Sequence, residues 1–415
     1  MQRKTVEILC LAALAAFGFG NIRSGFAENK GGDGHPNWVA TWGASPEVDV
    51  PLPANTTNPS FTNQTVRMIV HTSIGGSQVR VRLSNTFGSD SLAIGAAHIA
   101  FHGNGAAIVK GTDRVLTFGG ATSTTVPPGA VVVSDGVKLR VPPASDLAVT
   151  IYLPGPTGRV TLHAAAHDTN YVSTPGDFTG SADLPADHEV TSWFYLTNVE
   201  VGAPEGTLAV IALGDSLTDG TNSTLDANHR WPNFLAERLL AGHSKLAVVD
   251  EGIGGNRILH DFVGPSALAR LDRDALSQAG AGYLIVLLGI NDIGFSEGFL
   301  PAQPVSADEI IAGQRQIIAR GHERGFKVFG CTLTPFEGAG FFSPDGEAKR
   351  EAVNSFIRTS GAYDGVIDFD AAVRDPAQPG RILPAEDSGD HLHPNDAGYR
   401  AMANAVNLSL FRKAP

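Results

Sequence analysis

The chain has 415 residues, a length that predicts two or three domains at roughly 150 residues each. Hydrophobic residues make up 42% and charged residues 17%, so large cores can be buried and a globally disordered chain is excluded. The net charge of −12 excludes nucleic-acid binding as the main task, because that needs clustered Lys and Arg, and 48 glycines with 25 prolines point to turn-rich β structure.

Arg3 and Lys4 open a basic segment, and the apolar stretch from Ile8 to Phe19 is shorter than the about 20 residues that span a bilayer. Gly25 and Ala27 take the small-residue places of a cleavage site before Glu28. Residues 1–27 therefore read as a secretory signal peptide, and the mature chain is expected in the periplasm or outside the cell. Cys10 falls in this leader, which leaves Cys331 alone and no internal disulfide. No later apolar run reaches about 18 residues, so no stable membrane insertion of the mature chain is expected.

From Trp38 to about Val201 the apolar pattern has period two. Thr65–Thr72 and Gln78–Asn85 read as strands joined by a Gly75-Gly76 turn. In the second, Val79, Val81 and Leu83 share one face. Val131–Ser134, Leu147–Leu153 and Ser192–Val199 are further strands, and residues 36–203 are expected to form an all-β sandwich of jelly-roll type. From residue 205 to 413 apolar runs alternate with helical stretches. Thr207–Leu213, Lys245–Val249, Tyr283–Leu288, Lys327–Thr332 and Gly365–Phe369 suit parallel strands buried on both faces. Ser306 and Glu309 form a capping box, Pro232 stands in the first turn of a helix, and Pro394 opens a last helix through Met402, Val406 and Leu410. The second half is therefore an α/β region with a flavodoxin-like, doubly wound parallel sheet, whose ligands bind at the carboxyl ends of the strands.

Four loops at such ends carry chemistry. Gly214-Asp215-Ser216-Leu217 places a serine at a strand terminus, where it needs a base to become a nucleophile. Gly252-Ile253-Gly254-Gly255-Asn256 and Gly289-Ile290-Asn291-Asp292 offer backbone N–H groups and a side-chain amide, donors that suit the oxyanion of acyl transfer. Each of these blocks alone equally reads as an ordinary turn or helix start. In Asp390-His391-Leu392-His393 the spacing lets Asp390 reach the His393 Nδ1–H, which frees Nε2 to take the serine proton. Metal binding through His391 and His393 lacks a matching third ligand. Gly294-Phe295-Ser296-Glu297-Gly298 has the spacing of a nucleophile elbow but no strand directly before it, so Ser296 is set aside.

In this order and at these distances the four blocks resemble the SGNH (GDSL) hydrolase family, over roughly residues 205–412. The resemblance implies Ser216 as nucleophile, His393 as general base and Asp390 as its orienting carboxylate. It further implies an oxyanion hole of the Ser216 N–H, the Gly255 N–H and the Asn291 amide, with Gly254 competing for the glycine place. Asp215 is expected to support the loop by hydrogen bonding. The first half, with Ala40-Thr41-Trp42-Gly43-Ala44-Ser45, resembles the β-sandwich ahead of this domain in a xylan-esterase-like branch. The expected activity is carboxylic ester hydrolysis, of acetyl groups on carbohydrate, with an acetylated polysaccharide or oligosaccharide as substrate and no cofactor. A broad lipase or arylesterase of the same family is the alternative, and a glycan-binding protein with a vestigial hydrolase is a further one. Polar Thr218, Asp219, Asn222, Asn228, His229 and Arg230 beside Trp231 favour a polar ester, although His229, Arg230 and Trp231 equally read as a structural helix start. Trp38, Trp42 and Trp193 do not decide whether the first half stacks on sugar.

Overall fold

The computed structural model describes residues 36–48 and 59–412; the expected leader, with its boundary before Glu28, lies outside them. In the first half, period-two alternation produces antiparallel strands. Val79, Val81 and Leu83 are fully buried, and Arg80 on the other face pairs with Glu200 at 2.6 Å. One sheet runs in the order Asn37–Gly43, Leu196–Ala203, Val79–Ser84, Val131–Val133. A second runs Ala186–Val190, Asn170–Pro175, Gln64–His71, Asp146–Leu153, Ala96–Phe101, Arg114–Val115. A small three-stranded ribbon aligns Trp193–Phe194, Thr161–His163 and Glu47–Val48.

The expected strand Ser192–Val199 is divided. Tyr195, at φ 62, turns the chain out of the ribbon and into the four-stranded sheet, so Trp193–Phe194 and Leu196–Ala203 belong to different sheets. Trp42 and Trp193 are buried edge to face, 4.8 Å apart, and Trp38 lies under the Arg80 guanidinium. Those three rings are therefore core and surface packing, not a flat stacking platform.

The second half holds five parallel strands: β1 (Leu208–Gly214), β2 (Leu246–Gly252), β3 (Ala281–Leu287), β4 (Lys327–Cys331) and β5 (Gly365–Ile367). Their order is β2-β1-β3-β4-β5. The order reverses beside β1, so the loops leaving β1, β2 and β3 converge on one crevice. Helices flank the strands: α1 (Ser216–Asp219), α2 (Trp231–Ala241), α3 (Ile290–Glu297), α4 (Ala307–Glu323), α5 (Pro344–Thr359) and α6 (Asp396–Ala405). The Ser306–Glu309 capping box is present at α4, where Ser306 Oγ accepts the Glu309 N–H at 3.2 Å and the Glu309 carboxylate accepts the Ser306 N–H at 2.8 Å. The last helix differs from expectation at both ends. Asn395, not Pro394, provides the N-cap, and the helix stops at Ala405, leaving Leu410 in a separate 3₁₀ turn.

Residues Pro36–Pro415 cluster as one compact unit. Its two halves share an apolar core and direct bonds, such as the Ala40 N–H to the Ala279 carbonyl at 2.9 Å. Among the described residues no helix is long and apolar enough to cross a membrane.

Candidate active site

β1 ends at Gly214, and Asp215 then caps a single helical turn by accepting the Leu217 N–H at 3.1 Å. That cap puts Ser216 first in α1, with its N–H free of any intrahelical acceptor. Burial pushes the Asp215 carboxyl up to about 7, while the Leu217 N–H pulls the other way. Asp215 thus supports the loop.

His393 Nε2 lies 2.8 Å from Ser216 Oγ, and His393 Nδ1 lies 2.7 Å from Asp390 Oδ2. Asp390 Oδ1 accepts the N–H groups of Leu392 at 3.0 Å and His393 at 2.8 Å, and Asn222 Nδ2 donates to Oδ2 at 2.9 Å. Burial works against the Asp390 charge, yet His393 and these backbone donors hold its carboxyl well below the usual range. The loop is anchored by Asn395. Its Oδ1 caps α6, and its Nδ2 donates to the carbonyls of Ala385 and Asp387, both at 3.1 Å. His391 is occupied elsewhere, with Nδ1 2.6 Å from Asp387 Oδ2.

β2 runs parallel to β1 in a register that pairs Gly214 with Gly252. A Cβ at Gly252 would stand 2.3 Å from the Asp219 nitrogen, so only glycine lets the loop press against α1. Gly254 donates its N–H to Asp219 Oδ2 at 3.0 Å. Gly255, at φ +72, has an N–H with no protein acceptor among the described residues. Of the two glycines, Gly254 has its N–H engaged by Asp219, and Gly255 keeps a free donor among the described residues. Asn291, in the first turn of α3, spends one amide hydrogen on the Asn256 carbonyl at 3.1 Å, which orients the amide and leaves a second hydrogen. Ser296 is remote in role. It lies inside α3, and its hydroxyl donates to the Ile293 carbonyl at 2.8 Å.

Of the polar residues expected to rim the site, Thr218, Asp219, Arg230 and the neighbouring Trp231 are buried. Arg230 turns inward to the Ala166 carbonyl, and Trp231 Nε1 donates to Thr218 Oγ1 at 3.3 Å. Their polarity serves the fold, whereas Asn222, Asn228 and His229 keep some exposure. Beside Gly254 and Gly255 opens a cleft of about 630 Å³ whose other walls are Phe262, Val263, Phe295 and Phe299 from one half and Glu47, Ala164 and Ala165 from the other. Phe299 is 65% exposed and Phe262 is 41% exposed, which is unusual for rings of this size. Sequence reading missed this cleft because its walls are scattered over more than 200 positions.

Sequence reading also missed the supports. The buried Arg270 donates to the Gly214 carbonyl at 2.8 Å, to Asn256 Oδ1 at 3.0 Å and to Ser45 Oγ at 2.7 Å. Asp292, whose carboxyl burial pushes up to about 6, accepts the N–H groups of Ile258 at 2.8 Å and Leu259 at 3.1 Å. The Asp in Gly289-Ile290-Asn291-Asp292 was a signal for the second; nothing local marks Arg270.

A parallel sheet in this order, with a serine at the β1 terminus, makes an α/β domain of the SGNH fold, preceded by an all-β region. Residues 212–401, just under half of the chain, match the GDSL-like Lipase/Acylhydrolase family. This match supports a carboxylic ester hydrolase. No curated protein matches the chain in sequence. Among solved structures, an acetyl xylan esterase is similar at 21% identity and TM-score 0.38, covering 48% of this chain and 97% of its own. An acetylxylan esterase from Geobacillus stearothermophilus is similar at 21% and 0.38, covering 48% and 91%. An alpha/beta hydrolase enzyme from the metagenome of Lake Arreo, Spain, is similar at 20% and 0.39, covering 49% and 94%.

Proposed function

We propose that the protein is an exported serine esterase working through Ser216, His393 and Asp390. The hydrogen-bonded run from Ser216 Oγ through His393 to Asp390 carries this reading. Ser216 Oγ attacks the ester carbonyl carbon while His393 Nε2 takes its proton. The carbonyl oxygen, now negative, is met by the N–H groups of Ser216 and Gly255 and by the Asn291 amide. As the tetrahedral intermediate collapses, the C–O bond to the alcohol breaks and His393 returns the proton to that oxygen. Water then attacks the acyl-enzyme, giving its proton to His393; as this second intermediate collapses, the bond from the carbonyl carbon to Ser216 Oγ breaks, His393 returns the proton to Oγ and the acid leaves. Asp390 keeps His393 in the tautomer that accepts at Nε2 and steadies the charge it gains.

The leaving alcohol must lie on the His393 side, because that ring protonates it. Asn222 and Ser388 border this side, joined to Asp390 at 2.9 and 3.2 Å. They support a polar alcohol such as a carbohydrate hydroxyl, and an acetyl ester of carbohydrate is the first reading. The cleft supports a second. It adjoins Gly255, has mostly apolar walls, and at about 630 Å³ far exceeds an acetyl group. That favours an apolar acyl group of several carbons on the same polar alcohol.

The experiment is a panel of esters from acetate to decanoate, with acetylated glycans beside it, on wild type and Ser216→Ala. The Ser216→Ala protein should fold and lose at least ~10³-fold in kcat. Near-normal turnover would overturn the serine assignment. Fastest release of acetate from glycans selects the first reading, and a kcat/KM maximum at longer acyl chains selects the second.

A further inference from the structure

The antiparallel half reaches the oxyanion loop through a buried histidine. Strand Thr161–His163 ends on His163, which is 4% exposed. Its Nε2 lies 3.0 Å from Asp219 Oδ1, and its Nδ1 lies 3.0 Å from the Ser45 carbonyl oxygen. A carbonyl only accepts, and an ionised carboxylate only accepts, whereas a neutral imidazole has a single donor. Both bonds are made only by the doubly protonated ring.

Asp219 closes α1, the turn that begins with Ser216. Its second oxygen accepts the Gly254 N–H at 3.0 Å. One carboxylate therefore joins the cation to the residue next to Gly255. Trp193 packs on the His163 ring at 5.5 Å, and the Ser45 hydroxyl is held by Arg270 at 2.7 Å and by Glu251 at 2.6 Å. The seam is thus built from both halves, and neither loop can shift without breaking a buried bond.

We propose that His163 is a positioning residue for ester hydrolysis: its imidazolium fixes Asp219, Asp219 fixes Gly254, and the fixed turn holds the Gly255 N–H on the substrate's carbonyl oxygen. The proposal rests on the Ser216 reading, since it assigns a support to that same oxyanion site. It also gives the antiparallel half a part in catalysis, beyond any binding of its own. The groups facing His163 are Asp219 of α1, Ser45 just after strand Asn37–Gly43, Glu47 of the neighbouring ribbon strand, and the nearby His167, Arg230 and Asp250. Burial opposes the His163 charge, yet Asp219, its hydrogen bond, Glu47 and the Ser45 carbonyl hold the ring up to about 9.

The test compares wild type, His163→Gln and Asp219→Asn with p-nitrophenyl acetate and with an organophosphonate that modifies Ser216. Removing an oxyanion donor outright costs about 10²–10³-fold, so loosening one is expected to lower kcat about 10–100-fold. KM should stay within about threefold, and phosphonylation should slow in step with kcat, because both need the same oxyanion contacts. A folded His163→Gln with wild-type kcat and only a lower melting temperature overturns the proposal, because the pair then serves stability alone. If His163→Gln does not fold, Asp219→Asn is read by the same criteria, and failure of both to fold likewise overturns it. Loss of the Ser216 reading shows itself separately, as turnover by Ser216→Ala.

Discussion

Of the histidines that sit on an aspartate, His393 and His163 lie in regions of opposite character. His393 stands on a solvent-facing loop with Asp390 on one nitrogen and the Ser216 hydroxyl on the other. His163 stands at the buried seam with Asp219 on one nitrogen and a backbone carbonyl on the other. A hydroxyl can give up a proton, so the first ring can cycle between neutral and charged. A carbonyl cannot, so the second ring is kept charged. The third partner, more than the His–Asp pair itself, separates a base from a fixed cation.

If the loop does the chemistry and the seam only positions it, substitutions at the site must cost more than substitutions behind it. Asn291→Ala removes a donor aimed at the oxyanion and should lower kcat about 10²–10³-fold with little change in KM. A loss smaller than that of His163→Gln, measured on the same ester, would invert the comparison. The smallest effect is on stability. His163 in the folded chain is raised from 6.5 to about 9, so its contribution is complete below about pH 6.5 and is lost as pH rises through about 9. Asp215 and Asp250, raised by burial to about 7, lose their contribution at lower pH, on the way up to 7. Between pH 7 and 10 the melting temperature of wild type should therefore fall more than that of His163→Gln. Equal slopes in that window would mean that His163 is not charged in the folded protein.

The loop region was legible in the sequence, and the seam was not. Asp390 and His393 are three residues apart, and the carboxylate is placed by the N–H groups of the same short turn, so spacing alone carries the geometry. Gly252 to Asn256 follows an apolar run, which marks a strand end. The parallel strands were each found within a few residues, because burial on both faces leaves an unbroken apolar signature. The short ribbon that bears His163 has three residues per strand at most, too few for any periodicity. His163 and Asp219 are 56 positions apart, and Arg270 and Ser45 are 225 apart. No local pattern can report such partners. Asp219 and Arg230 misled for the same reason, since they look solvent-bound until His163 and the Ala166 carbonyl of the antiparallel half are seen to meet them.

The most direct test of the central claim is mass-spectrometric mapping of the organophosphonate adduct on the wild-type protein as hydrolysis is lost. The account expects one stoichiometric adduct on Ser216 and its disappearance in Ser216→Ala. Loss of hydrolysis with the adduct on Ser296 or elsewhere, and Ser216 unmodified, would contradict it.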